Sequence, residues 1–182
     1  MSVNSRADQS LLDSKTPFYT SSWDSQKEIK ERVRFLKYVI EEQDGYRLFY
    51  IDGKPVRKES DLQIMFKLTW RASLFDMNAE VNNGRGPADF IVSNGSFDKT
   101  VAEFKLASNT KLDNLLNPKN GQTQDQVYSK SSRATKSPIK VILYFTEPEQ
   151  AKVQRLLRKY NLEDDDNIIV IDGMPKVSGS KI

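Results

Sequence analysis

Glu80-Val81-Asn82-Asn83-Gly84-Arg85-Gly86-Pro87-Ala88-Asp89-Phe90-Ile91-Val92-Ser93, then Asn94-Gly95-Ser96-Phe97-Asp98, then Lys99-Thr100-Val101-Ala102-Glu103-Phe104-Lys105 is the stretch whose reading decides the fold. Two short β-like runs flank a polar turn that carries glycine, which predicts a hairpin. If the hairpin is symmetric about Ser96, Ser93 faces Lys99, Ile91 faces Val101 and Asp89 faces Glu103. Opposed residues on an antiparallel pair have Cβ atoms roughly 5 Å apart and share a face, and like charges so placed repel. A divalent cation between Asp89 and Glu103 turns that repulsion into binding. Lys105 follows Glu103 by two residues and so shares its face.

Phe90, Val92, Ala102, Phe104 and Leu106 fall on the opposite face, while Ile91 and Val101 are apolar on the charged face. The hairpin therefore reads as buried on both sides, in the middle of a sheet covered by helices. Carboxylates and a lysine at such positions mark a conflict between pattern and chemistry, and function is expected there.

Composition narrows the chemistry. The chain has 182 residues, enough for one domain with a sizeable core. It contains neither cysteine nor histidine. That excludes disulfides, zinc held by His or Cys, cysteine nucleophiles and Ser-His-Asp catalysis. Hydrolysis must run on carboxylates, lysine, tyrosine or a metal bound by oxygen, which points to hard cations such as Mg²⁺ or Mn²⁺. The net charge of +3 permits a polyanionic partner without requiring one. No apolar run approaches the roughly 20 residues that span a bilayer, and the N-terminus lacks an apolar signal region. No membrane association and a cytoplasmic location are the expectation.

Along the chain, residues 1–15 are polar and aperiodic and read as a disordered N-terminus. An N-terminal unit over 16–58 follows. In it, helical spacing runs from Trp23 to Ile40, capped by Ser22 or Asp24, and a small hairpin covers Tyr46–Ile51 with a turn at Asp52-Gly53-Lys54-Pro55. The core unit spans 59–174. It opens with a helix whose stripe is Leu62, Met65, Phe66, Thr69 and Trp70; Glu59 and Asp61 read as helix-start charges that suit the dipole. Strands are expected over Leu74–Val81, over both hairpin arms, over Ile139–Phe145 and over Asn167–Ile171. Helices are expected after Leu112, from about Gln122 to Arg133 and over Glu147–Tyr160, and residues 175–182 read as a loose tail. Strands alternating with helices late in the chain predict crossovers, a mixed α/β (α+β) sheet and helices on both faces.

Pro87-Ala88-Asp89, thirteen residues, then Glu103-Phe104-Lys105, set in this element order, resembles the PD-(D/E)XK nuclease superfamily. The resemblance covers about Glu59 to Phe145 and implies a restriction-endonuclease-like αβββαβ core and Mg²⁺-dependent phosphodiester hydrolysis, with Mn²⁺ able to substitute. It implies Asp89 and Glu103 as the acidic pair, Lys105 as the motif lysine and the Phe104 carbonyl as a further metal oxygen. Gln124 to Tyr128 looks like the Gln-x-x-x-Tyr element of RecB-like members, which makes Gln124 a catalytic and Tyr128 a supporting candidate. Glu80 stands one strand upstream, where many members carry an extra acidic metal ligand. The proline lies two residues before the aspartate, with Ala88 between.

Arg85 is either a phosphate contact or a solvated turn arginine. Lys130, Arg133, Lys136 and Lys140 either track a nucleic-acid backbone or form a solvated face. Glu163-Asp164-Asp165-Asp166 reads as a polar loop, since it lacks the spacing and glycine of a calcium loop. The expected partner is nucleic acid, DNA in particular, in defence, restriction or repair. The competing class is a non-catalytic module of the same fold that grips nucleic acid or protein. The small size favours a homodimer or a nuclease subunit of a larger assembly.

Overall fold

A computed structural model describes residues 23–56, 58–82, 87–119 and 136–176. Helix α1 (Ser25–Glu42) begins where Asp24 accepts a hydrogen bond from Lys27 N, satisfying one of the unpaired donors of a first turn. Its Ile29, Val33, Leu36 and Ile40 lie on one face and are buried, as the 3.6-residue period requires.

After α1 the chain departs from the expected hairpin. Gly45–Phe49 forms a 3₁₀ helix, and only Tyr50–Ile51 (β1) pairs with Lys54–Pro55 (β2). In a helix with three residues per turn, residues i and i+3 eclipse. Tyr46 and Phe49 thereby reach the core together while Leu48 stays exposed. Two aromatic anchors three apart decided the local structure, and the short apolar run did not.

Helix α2 (Glu59–Leu68) follows, with Leu62 and Phe66 buried. Strands β3 (Asp76–Asn82), β4 (Pro87–Asn94), β5 (Asp98–Leu106), β6 (Ile139–Tyr144) and β7 (Ile168–Asp172) form one five-stranded sheet in the order β3-β4-β5-β6-β7. The first three are antiparallel, and β5-β6 and β6-β7 are parallel. The sheet is therefore mixed, as the late alternation of strands and helices predicts. Helix α4 (Glu147–Tyr160) is the β6-to-β7 crossover, the connection that parallel neighbours need. Thr146 caps its start, and Asn161, in the left-handed region at φ 53°, ends it. Short helix α3 (Leu112–Leu116) lies between β5 and β6. The helix expected from Gln122 to Arg133 lies outside the described residues.

Two apolar layers cover the sheet. Phe90, Val92, Ala102, Phe104, Val141 and Leu143 face α1 and α2. Ile142 and Tyr144 face Leu112, Leu115 and Leu116 of α3 and Val153 and Leu156 of α4. No helix among the described residues is long and apolar enough to cross a membrane.

One buried carboxylate ties α1 to the segment after α2. Glu28 accepts from Trp23 Nε1 (2.8 Å), Arg32 Nε (2.9 Å), Arg32 Nη2 (2.8 Å) and Ser73 Oγ (2.8 Å). Burial pushes its carboxyl up, but the bonds from Trp23, Ser73 and Arg32, with the Arg32 charge, outweigh burial and hold it below its ordinary value of 4.5. A carboxyl lowered in the folded state stabilises the fold above its unfolded pKa, and that stability is lost as pH falls through the folded pKa. Glu28→Gln is expected to destabilise the protein by about 1–3 kcal/mol at neutral pH, because donors lose a charged acceptor. The difference from wild type should narrow as pH falls below 4.5. Urea midpoints measured across that range check this; a gap independent of pH would refute it.

Candidate active site

The ladder between β4 and β5 runs Ser93↔Lys99, Val92↔Thr100, Ile91↔Val101 and Phe90↔Ala102. This is the register expected from symmetry about Ser96, and it holds from Asn94↔Asp98 to Phe90↔Ala102. The carboxylate of Asp89 reaches β5 itself: its Oδ2 accepts from Phe104 N at 2.6 Å. On β3, the pairs Ala79↔Phe90 and Val81↔Ala88 bracket Glu80 against Asp89. On the other side, Lys140 of β6 is the register neighbour of Glu103.

The faces alternate as the sequence requires. Phe90 and Phe104 point into the α1–α2 layer and are fully buried. Asp89, Glu103 and Lys105 occupy the other face. Ile91 and Val101 on that face are buried too, so the acidic residues sit at the edge of a dry region. Glu103 is 9% exposed, which strengthens any charge interaction it makes.

Lys105 is the centre of the charge cluster. Its Nζ donates to Glu59 Oε2 at 2.9 Å and to the Phe104 carbonyl at 3.2 Å. Burial of the ammonium lowers its pKa, but the Glu59 hydrogen bond and the charges of Asp89, Glu59 and Glu103 outweigh burial and leave it raised. The lysine is thus a fixed cation among three carboxylates, held protonated.

Glu59 is the residue that sequence reading assigned to the helix dipole alone. It does stand in the first turn of α2, where a negative charge is favourable. Its carboxylate also binds Lys105, accepts from Asn109 Nδ2 at 2.5 Å and meets Leu106 N at 3.4 Å. Nothing in the local pattern around Glu59 or Asn109 signals these contacts, because their partners come from other elements.

Other residues read from the sequence divide as follows. Lys136 pairs with Asp24 (2.7 Å) and Asp98 (3.1 Å), which pins the start of α1 to the β4–β5 turn. Asp166 pairs with Lys30 at 2.7 Å, in keeping with a polar loop over Glu163–Asp166. Arg85, Gln124, Tyr128, Lys130 and Arg133 lie outside the described residues.

The donor set suits a hard cation. Asp89, Glu103 and the Phe104 carbonyl supply only oxygen, and Mg²⁺ commonly takes one or two carboxylates, with water and substrate phosphate completing its shell. Among the described residues, no three or more acidic side chains stand together as a metal cage.

Residues 25–147 match a family model described as Domain of unknown function (DUF8371). No curated protein and no solved structure matches the chain.

Proposed function

We propose that this chain, which belongs to the DUF8371 family, is a Mg²⁺-dependent nuclease of the PD-(D/E)XK superfamily that hydrolyses phosphodiester bonds in DNA. The observation that carries this reading is the meeting of Asp89, Glu103 and Lys105 beside the Phe104 carbonyl, with Lys105 kept cationic by three carboxylates. The αβββαβ order of α2, β3, β4, β5, α3 and β6 supports a restriction-endonuclease-like core.

The roles follow from charge and position. Asp89, Glu103 and the Phe104 carbonyl would hold Mg²⁺, with Glu80 as a further ligand from β3. When bound, the ion lowers the pKa of a coordinated water and polarises the phosphoryl oxygen. Lys105 uses two of its three N–H donors on Glu59 and on the Phe104 carbonyl. The third would serve substrate, where it would stabilise negative charge developing on the phosphate. A raised pKa suits this electrostatic role and opposes a role as general base. Lys140, beside Glu103 on β6, supplies a second cation toward the phosphate backbone. Gln124 would orient Lys105 or a phosphate, with Tyr128 one helical turn further on.

The test is cleavage of plasmid, linear duplex, single-stranded DNA and RNA with Mg²⁺ or Mn²⁺. Cutting that EDTA stops, and that Asp89→Asn loses, is the expected result. Absence of cutting on every substrate with both metals would overturn the reading and favour a non-catalytic binding module with a structural ion network.

A further inference from the structure

We infer that Asn109 is a positioning residue for Lys105 that acts through Glu59, an inference that rests on the nuclease reading. The two oxygens of Glu59 have different partners. Oε2 accepts from Lys105 Nζ, whereas Oε1 accepts from Asn109 Nδ2 at 2.5 Å and faces Leu106 N at 3.4 Å. A terminal carboxylate torsion is broad and roughly two-fold, so a free Glu59 would present either oxygen, over a range of angles. The loop after β5 removes that freedom by occupying one oxygen with neutral donors.

Asn109 is itself held on every polar group. Its N–H donates to Leu106 O at 2.9 Å, and its carbonyl accepts from Lys152 Nζ at 3.0 Å. Its Oδ1 accepts from Lys111 N at 2.8 Å. That last bond fixes the amide: with Oδ1 on a backbone donor, only the NH₂ end is left to face a carboxylate. Lys152 of α4 also donates to Ala107 O at 2.7 Å, so the crossover helix secures the same loop. A fixed chain of contacts thus runs from α4 through Asn109 and Glu59 to the ammonium of Lys105.

The side chain has two separable jobs, and substitution can divide them. Asn109→Asp keeps an acceptor for Lys111 N but sets a second carboxylate oxygen against Glu59 Oε1. Asn109→Ala removes both bonds. If Asn109 only shapes the loop, Asp is tolerated and Ala is harmful. If it positions Glu59, Asp is at least as harmful as Ala.

Two measurements are made on the full chain. One is kcat and KM for DNA cleavage with Mg²⁺. The other, independent of activity, is the proton–nitrogen cross-peak of the Lys105 ammonium, assigned by its loss in Lys105→Ala. Both variants are expected to lower kcat by about 10-fold, the cost of losing a residue that orients a functional group. KM should stay within about two-fold, since the contact is not with substrate. The ammonium cross-peak should lose its protection from exchange, and Glu59→Gln is expected to show the same loss. Wild-type kcat and an unchanged cross-peak in Asn109→Asp would overturn the inference. If Asn109→Asp unfolds, Asn109→Asp combined with Glu59→Gln restores a donor–acceptor pair across the contact and should recover the fold; a merely additive loss would also overturn it. A wild-type protein that cuts nothing sinks the nuclease reading, and the cross-peak comparison still decides this one.

Discussion

If the proposed nuclease function holds, Lys105→Ala is expected to lower metal-dependent cleavage by about 100- to 1000-fold, the size of effect seen when one preorganised donor to a developing charge is removed. The loss is expected to fall on kcat more than on KM, because in the proposed role the ammonium would strengthen its contact only as negative charge builds on the phosphate. Lys105→Arg does not restore the rate. The guanidinium is a planar fork, and a compact ammonium is what fits between Glu59 Oε2 and the Phe104 carbonyl at 2.9 and 3.2 Å. Lys105→Ala also leaves Glu59, Asp89 and Glu103 without the cation that screens them, so some stability is expected to be lost with it. The Lys105–Glu59 pair is 22% exposed on both sides, which keeps that loss well below the cost of breaking a fully desolvated pair. Single-turnover rates at saturating DNA, with folding checked by circular dichroism, test the prediction. A Lys105→Ala protein that is folded and cuts at the wild-type rate would sink the assigned role.

Phe66→Ala is expected to cost about 3–5 kcal/mol of stability, a large share of the 5–15 kcal/mol that holds a typical domain together. Phe66 is the hub of the α1–α2 layer. Its ring lies 5.1 Å from Phe90, 4.8 Å from Phe104 and 5.5 Å from Trp70, centroid to centroid. Truncation opens a cavity that Phe90 and Phe104 cannot fill without leaving their strands. The damage reaches the site because Phe90 follows Asp89 directly and Phe104 lies between Glu103 and Lys105. Alternation along each strand means that the aromatic anchors and the charged groups share one backbone. Phe35→Ala serves as the control: that ring is 57% exposed, so its removal should change stability by less than about 0.5 kcal/mol. Urea unfolding of the two variants checks both numbers. A Phe66→Ala loss below that of Phe35→Ala would show that the aromatic cluster does not carry the core.

Glu59 and Asn109 together explain why a lysine can be kept in a shielded place at the end of β5. Burial alone would lower its pKa, yet the sum of Glu59, Asp89 and Glu103 raises it. Neutral donors from the loop occupy the far oxygen of Glu59, and the near oxygen holds the ammonium. The site therefore arrives with its cation in place, before any substrate contributes charge.

By itself the sequence determined the hairpin. A turn at Asn94–Asp98 between two runs of period two leaves one register that buries Phe90, Val92, Ala102 and Phe104, and the ladder Ile91↔Val101 follows that register. It also determined α1 and α4, whose apolar spacing and capping residues are local signals. Only the tertiary structure decided that Gly45–Phe49 coils into a 3₁₀ helix, since so short a stretch fits either geometry until the core claims the rings of Tyr46 and Phe49. Only the tertiary structure brought Glu59 to Lys105, 46 residues apart in sequence, and set Asn109 behind Glu59 at a separation of 50. Periodicity reports which face a side chain takes within its own element. Which residues meet across elements depends on how helices cross the sheet and where loops end, and no local pattern encodes that.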